Sequence, residues 1–316
     1  MITIGSGKRL KPKMSAKQKK DNIFAFWMCI CSCILYITFF VIPTFQSFRV
    51  STYEWSGFNT ETIKIVGAEN FKRLASDQVF LNAIKNNIKM IVFGGILVGG
   101  LGLLFALVLA DDDTKIGAFL RGMVFFPYSV SIVAIGIAWT FIFNPQFGLL
   151  NTLLAKIGFS GFQGYAWLGN ENISFFCMIF VTVWVWVGYF MITIIAGIQR
   201  IPTDYLEAAK IDGATSWQIT WRIKIPLLRD VLGISVLYWI INGWMSFGVV
   251  YVMTEGGPNN INHTIATYMM WEALSPRNGV YKMGYGTAIA VIMSLIVMLF
   301  GILYQIWLSK TDDVTY

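Results

Sequence analysis

The stretch PTDYLEAAKIDGATSWQITWRIKIPLL, residues 202–228, is polar and lies between two apolar runs, residues 173–198 and 229–251. A helix of about 20 apolar residues is long enough to cross a lipid bilayer, and each flanking run reaches that length. The sequence therefore predicts two membrane spans joined by a polar segment that lies against one membrane face.

The rest of the chain follows the same pattern. Of its 316 residues, 56% are hydrophobic and only 13% are charged. Four more apolar runs are long enough to cross a bilayer, namely residues 23–42, 88–110, 119–143 and 285–308. We therefore predict an all-α, polytopic membrane protein with six transmembrane helices, which places both termini on the same side of the membrane.

The distribution of basic side chains predicts the orientation. Seven Lys and Arg residues precede the first apolar run, within residues 1–22, and five more lie within residues 199–229. Segments rich in Lys and Arg remain in the cytoplasm, so we predict an N-in/C-in topology with residues 202–228 in the cytoplasm. The net charge of +7 is explained by a membrane surface better than by nucleic acid as a partner.

The first half of the polar segment predicts a short helix and a turn. Thr203 and Asp204 offer an N-cap and a first-turn carboxylate for a helix over residues 205–211. Asp212 and Gly213 end that helix, because glycine readily adopts the left-handed conformation that closes a helix.

The second half predicts another helix. Thr215 and Gln218 have the spacing of a capping box, and Pro226 closes or kinks the helix that follows. The segment is thus predicted to be a compact helix-turn-helix. A DNA-binding role is excluded because membrane spans flank it within a few residues on both sides.

Three short motifs in this segment resemble the EAA loop of permease subunits from binding-protein-dependent ABC importers. They are Glu207-Ala208-Ala209, Ile211-Asp212-Gly213-Ala214 and Ile225-Pro226. The chain departs from the pattern at Asp230, where many relatives have a second proline. Residues 125–151, 252–274 and 284–288 are similar to sequence blocks of the carbohydrate branch of that family, so the resemblance extends over nearly all of residues 23–308.

The resemblance implies a set of partners. In that family the EAA loop inserts into a cleft of a cytoplasmic ATPase subunit, and two permease subunits pair. It therefore implies a cytoplasmic ATPase dimer, a second homologous permease in a heterodimer and an extracytoplasmic solute-binding protein, besides membrane lipids, at the bacterial cytoplasmic membrane. The ATPase-coupling residues that it implies are Glu207, Ala208, Ala209, Asp212, Gly213 and Ala214.

The same resemblance suggests how the chain divides. We expect a basic cytoplasmic tail over residues 1–22, a transmembrane permease domain over residues 23–308 and a cytoplasmic C-terminal tail over residues 309–316. A permease of this kind has no catalytic site, cofactor or metal of its own, because ATP is hydrolysed in the partner. We therefore expect a transporter subunit rather than an enzyme.

Polar and aromatic residues recur along one face of the fourth and fifth predicted spans. Hydroxyl and amide groups can bond to sugar hydroxyls while rings pack on the apolar faces of a sugar, although small polar residues also hold membrane helices together. The family places substrate contacts on these two helices. The substrate-pathway candidates are Thr182, Trp186, Gly188, Tyr189, Trp239, Asn242 and Ser246.

Other functions are open at this stage. A stand-alone secondary carrier or channel for a neutral solute is the main alternative. Ion coupling usually needs ionisable residues deep in the spans, whereas Lys89, Arg121, Arg229 and Asp230 all lie at the edges of the runs. An intramembrane enzyme is improbable for the same reason. A purely structural subunit would show no change of solute preference when Trp239 or Asn242 is replaced.

For several isolated residues we expect structural roles rather than chemical ones. We expect His263 to fill the surface of a loop, and Asp111, Asp112 and Asp113 to form a solvated turn rather than a metal site. We expect the tryptophans of the outer segments to anchor the protein at the membrane–water interface. They are Trp55, Trp139, Trp167 and Trp271.

Overall fold

The computed structural model describes residues 16–58, 61, 63–275 and 281–309. Within these ranges the protein is helical apart from one small hairpin. The α-helices are α1 (Ala16–Tyr36), α2 (Ile42–Val50), α3 (Glu69–Ser76), α4 (Gln78–Lys89), α5 (Gly95–Leu109), α6 (Lys115–Ser129), α7 (Ile132–Ile142), α8 (Leu149–Lys156), α9 (Ser174–Ile198), α10 (Thr203–Ile211), α11 (Ser216–Ile219), α12 (Ile225–Leu227), α13 (Arg229–Trp244), α14 (Gly248–Thr254), α15 (Ile265–Leu274) and α16 (Met283–Ser309).

Short segments of other types join these helices. Three are π-helical, at Ile37–Val41, Met90–Gly94 and Thr220–Lys224, and one is a 3₁₀ turn at Ser160–Phe162. The hairpin pairs β1 (Tyr53–Glu54) with β2 (Lys64–Ile65) in antiparallel register. The all-α prediction is correct for the bulk of the described chain and misses this hairpin.

The chain divides into two compact units, Met1–Arg49 and Val50–Tyr316. From residue 16 onward the first unit is one helical run, which contains the first predicted span. That run begins before residue 23, so the last residues of the predicted basic tail are helical. The rest of the tail, residues 1–15, and residues 310–316 of the predicted C-terminal tail lie outside the described residues.

Helix α9 lies at the centre of the second unit. Its 25 residues contain no charged side chain, and a helix that is apolar on every face is stable when it is buried. It packs against α5 and α6, while α15 packs on α16 and α7 on α14. The fourth predicted span thus packs against α5, α6, α13 and α14.

Five helices in the described part of the chain are long and apolar enough to cross a membrane. A sixth span exists only if α6 and α7, which meet at an angle of 96°, are counted together. The single span predicted over residues 119–143 is therefore wrong as a continuous helix. Pro127 removes a backbone donor near the end of α6, and Val130 then adopts an extended conformation that ends the helix.

The fifth predicted span is also interrupted. Helix α13 ends at Trp244 and α14 begins at Gly248. Irregular backbone within a membrane span needs hydrogen-bond partners for its polar groups. Asn87 supplies two such bonds, because its Nδ2 donates to the carbonyl oxygens of Gly243 at 2.6 Å and Trp244 at 3.1 Å. Thr264 Oγ1 donates to the carbonyl oxygen of Ser246 at 2.6 Å, so the break is held by side chains from α4 and from the start of α15.

Candidate functional site

A cavity of about 280 Å³ opens beside the break between α13 and α14. Five of the seven predicted substrate-pathway residues line it: Thr182, Trp186, Trp239, Asn242 and Ser246. The other lining residues are Met90, Tyr128, Val130, Ile132, Val185, Gly243, Met245, Phe247, Gly248 and Val249. None of these lining residues, all of which belong to the described chain, is Asp, Glu, Lys, Arg or His.

Aromatic rings form one wall of the cavity. The ring of Trp186 lies 5.4 Å from that of Tyr128 and 6.0 Å from that of Trp239, measured between centroids, and both pairs meet edge to face. Tyr238 adds a further ring 5.7 Å from Trp186. Edge-to-face pairs at these distances are favourable, so the rings fix one another in place.

Trp239 is held more tightly than its neighbours. Its side chain is only 4% exposed, and its Nε1 donates to the carbonyl oxygen of Ile91 at 2.9 Å, inside the π-helical segment Met90–Gly94. The indole lies over Gly94 and Gly95, where a Cβ atom would meet it at 2.7 Å and 2.8 Å. Trp239 therefore forms the floor of the cavity, and only its edge is available to a ligand.

Two polar side chains of the cavity donate within their own helices. Thr182 Oγ1 donates to the carbonyl oxygen of Met178 at 2.8 Å, and Asn242 Nδ2 donates to that of Tyr238 at 2.8 Å. The Thr182 hydroxyl thereby uses its donor, and Asn242 uses one of its two N–H groups. The hydroxyl oxygen of Thr182 and the amide oxygen of Asn242 remain as acceptors for a ligand's hydroxyl groups.

Two of the seven predicted residues do not line the cavity. A Cβ atom at Gly188 would clash with the backbone of Val124 and Phe125, so this glycine permits close packing of α9 on α6. Tyr189 stacks behind the wall, with its ring centroid 5.0 Å from that of Tyr128.

Sequence reasoning missed Tyr128 and Phe247 as lining residues. Tyr128 directly follows Pro127 at the end of α6, and a proline within an apolar run was a signal that the helix would end there. Phe247 lies in the break of the fifth span, which depends on the distant Asn87 and has no local signal.

The polar segment over residues 202–228 contains a helix on each side of a turn, but Thr203 is the first helical residue of α10 rather than its N-cap, which is Pro202. Helix α10 ends before Gly213, whose φ is +80°. Thr215 Oγ1 accepts from the backbone N–H of Gln218, and the Gln218 side chain accepts from the backbone N–H of Thr215, so the capping box is present. Helix α11 is short and continues as a π-helical turn, Thr220–Lys224.

The six predicted coupling residues lie at the turn and on the helix that precedes it. Glu207, Ala208, Asp212 and Gly213 are exposed, and Ala209 and Ala214 are half-buried. Next to the turn, Ile211 is 86% exposed. Natural proteins seldom leave contiguous apolar surface open without a partner, and Trp217 and Trp221, with ring centroids 5.2 Å apart, extend this surface along the second helix.

The base of the segment is fixed to the spans. Leu206 packs against a buried cluster that includes Ile198 of α9 and Leu109 of α5. Lys224 Nζ lies 2.7 Å from Asp111 Oδ2, and the Lys224 side chain is only 9% exposed. Asp111 is solvated, as expected, but it also anchors the end of the segment to the turn that follows α5.

A polar cluster joins α4, α15 and α16. Asp77 caps α4, and its Oδ2 accepts from the hydroxyls of Tyr268 and Tyr285 at 2.6 Å each. Partial burial acts to raise the pKa of Asp77, but these hydrogen bonds and those from the backbone N–H groups of Phe80 and Val79 outweigh it and lower the pKa.

The expectation that His263 fills the surface is wrong. Its side chain is 1% exposed and packs against Tyr268 and Trp271, with ring centroids 5.6 Å and 5.7 Å away. Gly256 lies against the imidazole, where a Cβ atom would clash. Burial lowers the pKa of His263 to about 4, so the ring is neutral at pH 7.

Three of the four tryptophans expected at the membrane interface also take part in packing. Trp139 and Trp167 lie against the cluster around α9, and Trp271 against the cluster around α16. Trp167 Nε1 also donates to Asn151 Oδ1 at 2.6 Å.

A family model described as "Binding-protein-dependent transport system inner membrane component" matches residues 100–312. The chain is 31% identical over 273 residues to the probable ABC transporter permease protein YurN of Bacillus subtilis, which covers 86% of this chain and 91% of that protein. It is also 31% identical over 278 residues to the diacetylchitobiose uptake system permease protein NgcF of Streptomyces coelicolor, covering 85% of this chain and 77% of that protein.

A solved structure has the same fold. One chain of a bacterial alginate ABC transporter, crystallised in complex with an alginate pentasaccharide-bound periplasmic protein, superposes with a TM-score of 0.78 at 19% sequence identity. The match covers 91% of this chain and 94% of that chain.

Proposed function

The chain belongs to the family of inner membrane components of binding-protein-dependent transport systems, and from that membership we propose that it is the permease subunit of an ATP-driven importer for a sugar or oligosaccharide. It is a multi-pass protein of the bacterial inner membrane. Related permeases that are named for sugar uptake, such as NgcF, support the proposed class of solute.

The observation that carries the proposal is the uncharged cavity with a wall of rings beside the broken fifth span. Rings such as Trp186 offer flat apolar surfaces to the apolar faces of a sugar. Thr182 and Asn242 offer acceptors to its hydroxyl groups. We propose that this cavity is part of the substrate pathway, with Trp239 as its floor and Tyr189 and Gly188 as supports of its wall.

We further propose that residues 202–228 dock on a cytoplasmic ATPase subunit. The exposed turn around Gly213 and the apolar side chains of Ile211 and Trp217 suit insertion into a cleft of another protein. The packing of Leu206 and the Lys224–Asp111 ion pair attach the segment to the ends of α9 and α5. Movement of the ATPase would therefore shift the spans between outward-open and inward-open populations.

The remaining partners follow from the same proposal. A second, homologous permease would complete the pathway, and an extracytoplasmic solute-binding protein would deliver the sugar. ATP hydrolysis would take place in the ATPase dimer, so this subunit needs no catalytic residues. The crystallised alginate transporter, with its periplasmic protein bound, supports an assembly of this kind.

The test is the sugar-stimulated ATP turnover of the purified assembly. Replacing Asn242→Ala should raise the half-saturating sugar concentration about fivefold, because one hydrogen bond is worth about 1 kcal/mol. Thr193→Val is the control, since Thr193 also donates within its own helix, α9, but lies outside the cavity lining. Equal effects of the two substitutions, or stimulation by no sugar, would count against the proposal.

A second pair tests the ring wall. Trp186→Ala should change which sugars stimulate ATP turnover, whereas Trp184→Ala should not, because Trp184 is 41% exposed on α9 and does not line the cavity. If both variants keep the wild-type order of preference, the cavity is not part of the pathway.

A further inference from the structure

The cavity is small. Sites that enclose a small molecule usually measure about 300–1,000 Å³, and this cavity measures about 280 Å³. An oligosaccharide would therefore occupy it with only part of its length. The character of the lining residues then decides which kind of unit can enter.

The described residues that line the cavity supply no cation. They are apolar, aromatic or neutral polar side chains. A carboxylate taken out of water into such surroundings must find a positive or hydrogen-bonding partner, since an unpaired buried charge is strongly disfavoured. A neutral sugar carries no such cost.

The Thr182 hydroxyl and the Trp239 indole favour the same choice, because their donors are engaged with backbone carbonyl oxygens at 2.8 Å and 2.9 Å. Asn242 uses one of its two N–H groups in the same way, at 2.8 Å. The side-chain oxygens of Thr182 and Asn242 still offer lone pairs. Sugar hydroxyls can donate to lone pairs, whereas an ionised carboxylate only accepts hydrogen bonds, so it gains nothing from these oxygens.

We propose that this cavity selects uncharged sugar units and rejects uronic acids. The inference rests on the proposed function and makes its substrate class specific. It separates this chain from the transporter of similar fold that is involved in the import of the acidic polysaccharide alginate. The selectivity belongs to the permease itself and is independent of the solute-binding protein.

The experiment measures binding of matched sugar pairs to the purified permease–ATPase assembly without the solute-binding protein. Calorimetric titration would compare neutral mono- and disaccharides, such as glucose, galactose and cellobiose, with the uronic acid counterpart of each. We expect neutral members to bind at least about tenfold more tightly, the cost of losing one charge-assisted hydrogen bond. Equal affinity within the pairs, or tighter binding of the acids, would overturn the inference.

A gain-of-function variant makes the test independent of folding defects. Met245 lines the cavity and is 53% exposed, so Met245→Arg places a guanidinium at its mouth, where it can pair with a carboxylate in two-point geometry. This variant should improve binding of each uronic acid about tenfold relative to its neutral counterpart. Met245→Gln, similar in length and uncharged, should keep the wild-type preference.

Failure of the proposed function and failure of this inference would give different results. If neither neutral nor acidic carbohydrates bind or stimulate ATP turnover, the proposed function is wrong and this inference is lost with it. If carbohydrates bind but Met245→Arg and Met245→Gln have the same order of preference, the function stands and charge selection by this cavity is refuted.

Discussion

Gly213 shows how one residue can matter through its backbone alone. Its φ of +80° is in the left-handed region, yet a Cβ atom there would meet nothing within 4 Å. A β-branched side chain in this conformation costs about 1–2 kcal/mol. Gly213→Val should therefore abolish sugar-stimulated ATP turnover by distorting the proposed docking turn, while the amount of protein in the membrane, measured by immunoblot, stays normal.

Two variants serve as controls for Gly213→Val. Asparagine tolerates the left-handed region, so Gly213→Asn should retain most of the turnover. Gly164 has a similar φ of +75° and equally open surroundings, so Gly164→Val introduces the same strain far from the polar segment. Loss of turnover in Gly164→Val as well would mean that the effect is general instability.

The burial of the His263 imidazole predicts that the stability of the protein depends on pH. Its folded pKa, about 4, lies below the ordinary value of 6.5, so the unfolded chain binds the proton more readily, and stability falls as the pH drops from about 6.5 towards 4. At pH 5 the loss is about 2 kcal/mol. His263 is the only histidine of the chain, so the purified assembly should show a smaller drop in Tm between pH 7 and pH 5 in His263→Gln than in the wild type. An equal drop in both proteins would show that His263 is not the group responsible.

At the scale of elements, Asn87 holds the end of α13 to the start of α15. Besides its bonds to Gly243 and Trp244, its Oδ1 accepts from the backbone N–H of Ile265 at 2.9 Å, and the side chain is 0% exposed. Asn87→Leu would leave these buried groups unpaired, with a cost of about 3 kcal/mol or more. We expect a large loss of Tm together with weaker sugar binding, measured on the same preparation.

Asn82→Leu is the matched control for Asn87→Leu. Asn82 lies one turn earlier on α4 and donates to a single carbonyl oxygen, that of Ile261, at 2.7 Å in a half-buried position. It should lower the Tm by much less and leave sugar binding unchanged. A similar effect of both variants would show that Asn87 has no special role at the break.

Loss of the Lys224–Asp111 ion pair should weaken the coupling of ATP hydrolysis to transport while leaving the stability of the protein nearly unchanged. Because Asp111 is 71% exposed, solvent screens the pair and its contribution to stability is at most about 1 kcal/mol. Asp111→Ala should therefore leave the Tm nearly unchanged but reduce the sugar transported per ATP hydrolysed, since the polar segment is less firmly attached to α5. Asp113→Ala, two residues away and exposed, should have no effect. An unchanged ratio in Asp111→Ala would mean that the ion pair does not transmit motion.

Features that depend on neighbours in sequence were predictable, and features that depend on distant contacts were not. The apolar runs and the capping box of Thr215 and Gln218 are local, and both are present. The hydrogen bond of Asn87 to Gly243 joins residues 156 positions apart, so neither the break nor the burial of His263 had a local signal. Five of the seven pathway candidates meet at one cavity because helical spacing fixes the face on which they lie, and their role in transport stays a prediction.

At the scale of the whole molecule, we propose that motion is transmitted between the polar segment at one end of the spans and the cavity beside the fifth span. The described residues that line the cavity include no Asp, Glu, Lys, Arg or His, in keeping with the proposal that a partner supplies the energy. A stand-alone carrier or channel would need neither the exposed apolar surface near Gly213 nor its attachment through Lys224.

The most direct measurement is sugar uptake into proteoliposomes that contain this permease, its partner permease and the ATPase, with the solute-binding protein outside. Our account predicts uptake that requires enclosed ATP, is lost in Gly213→Val and is unaffected when ionophores collapse ion gradients. Uptake by the permease without the ATPase, or uptake that stops when the ion gradient is removed, would contradict it.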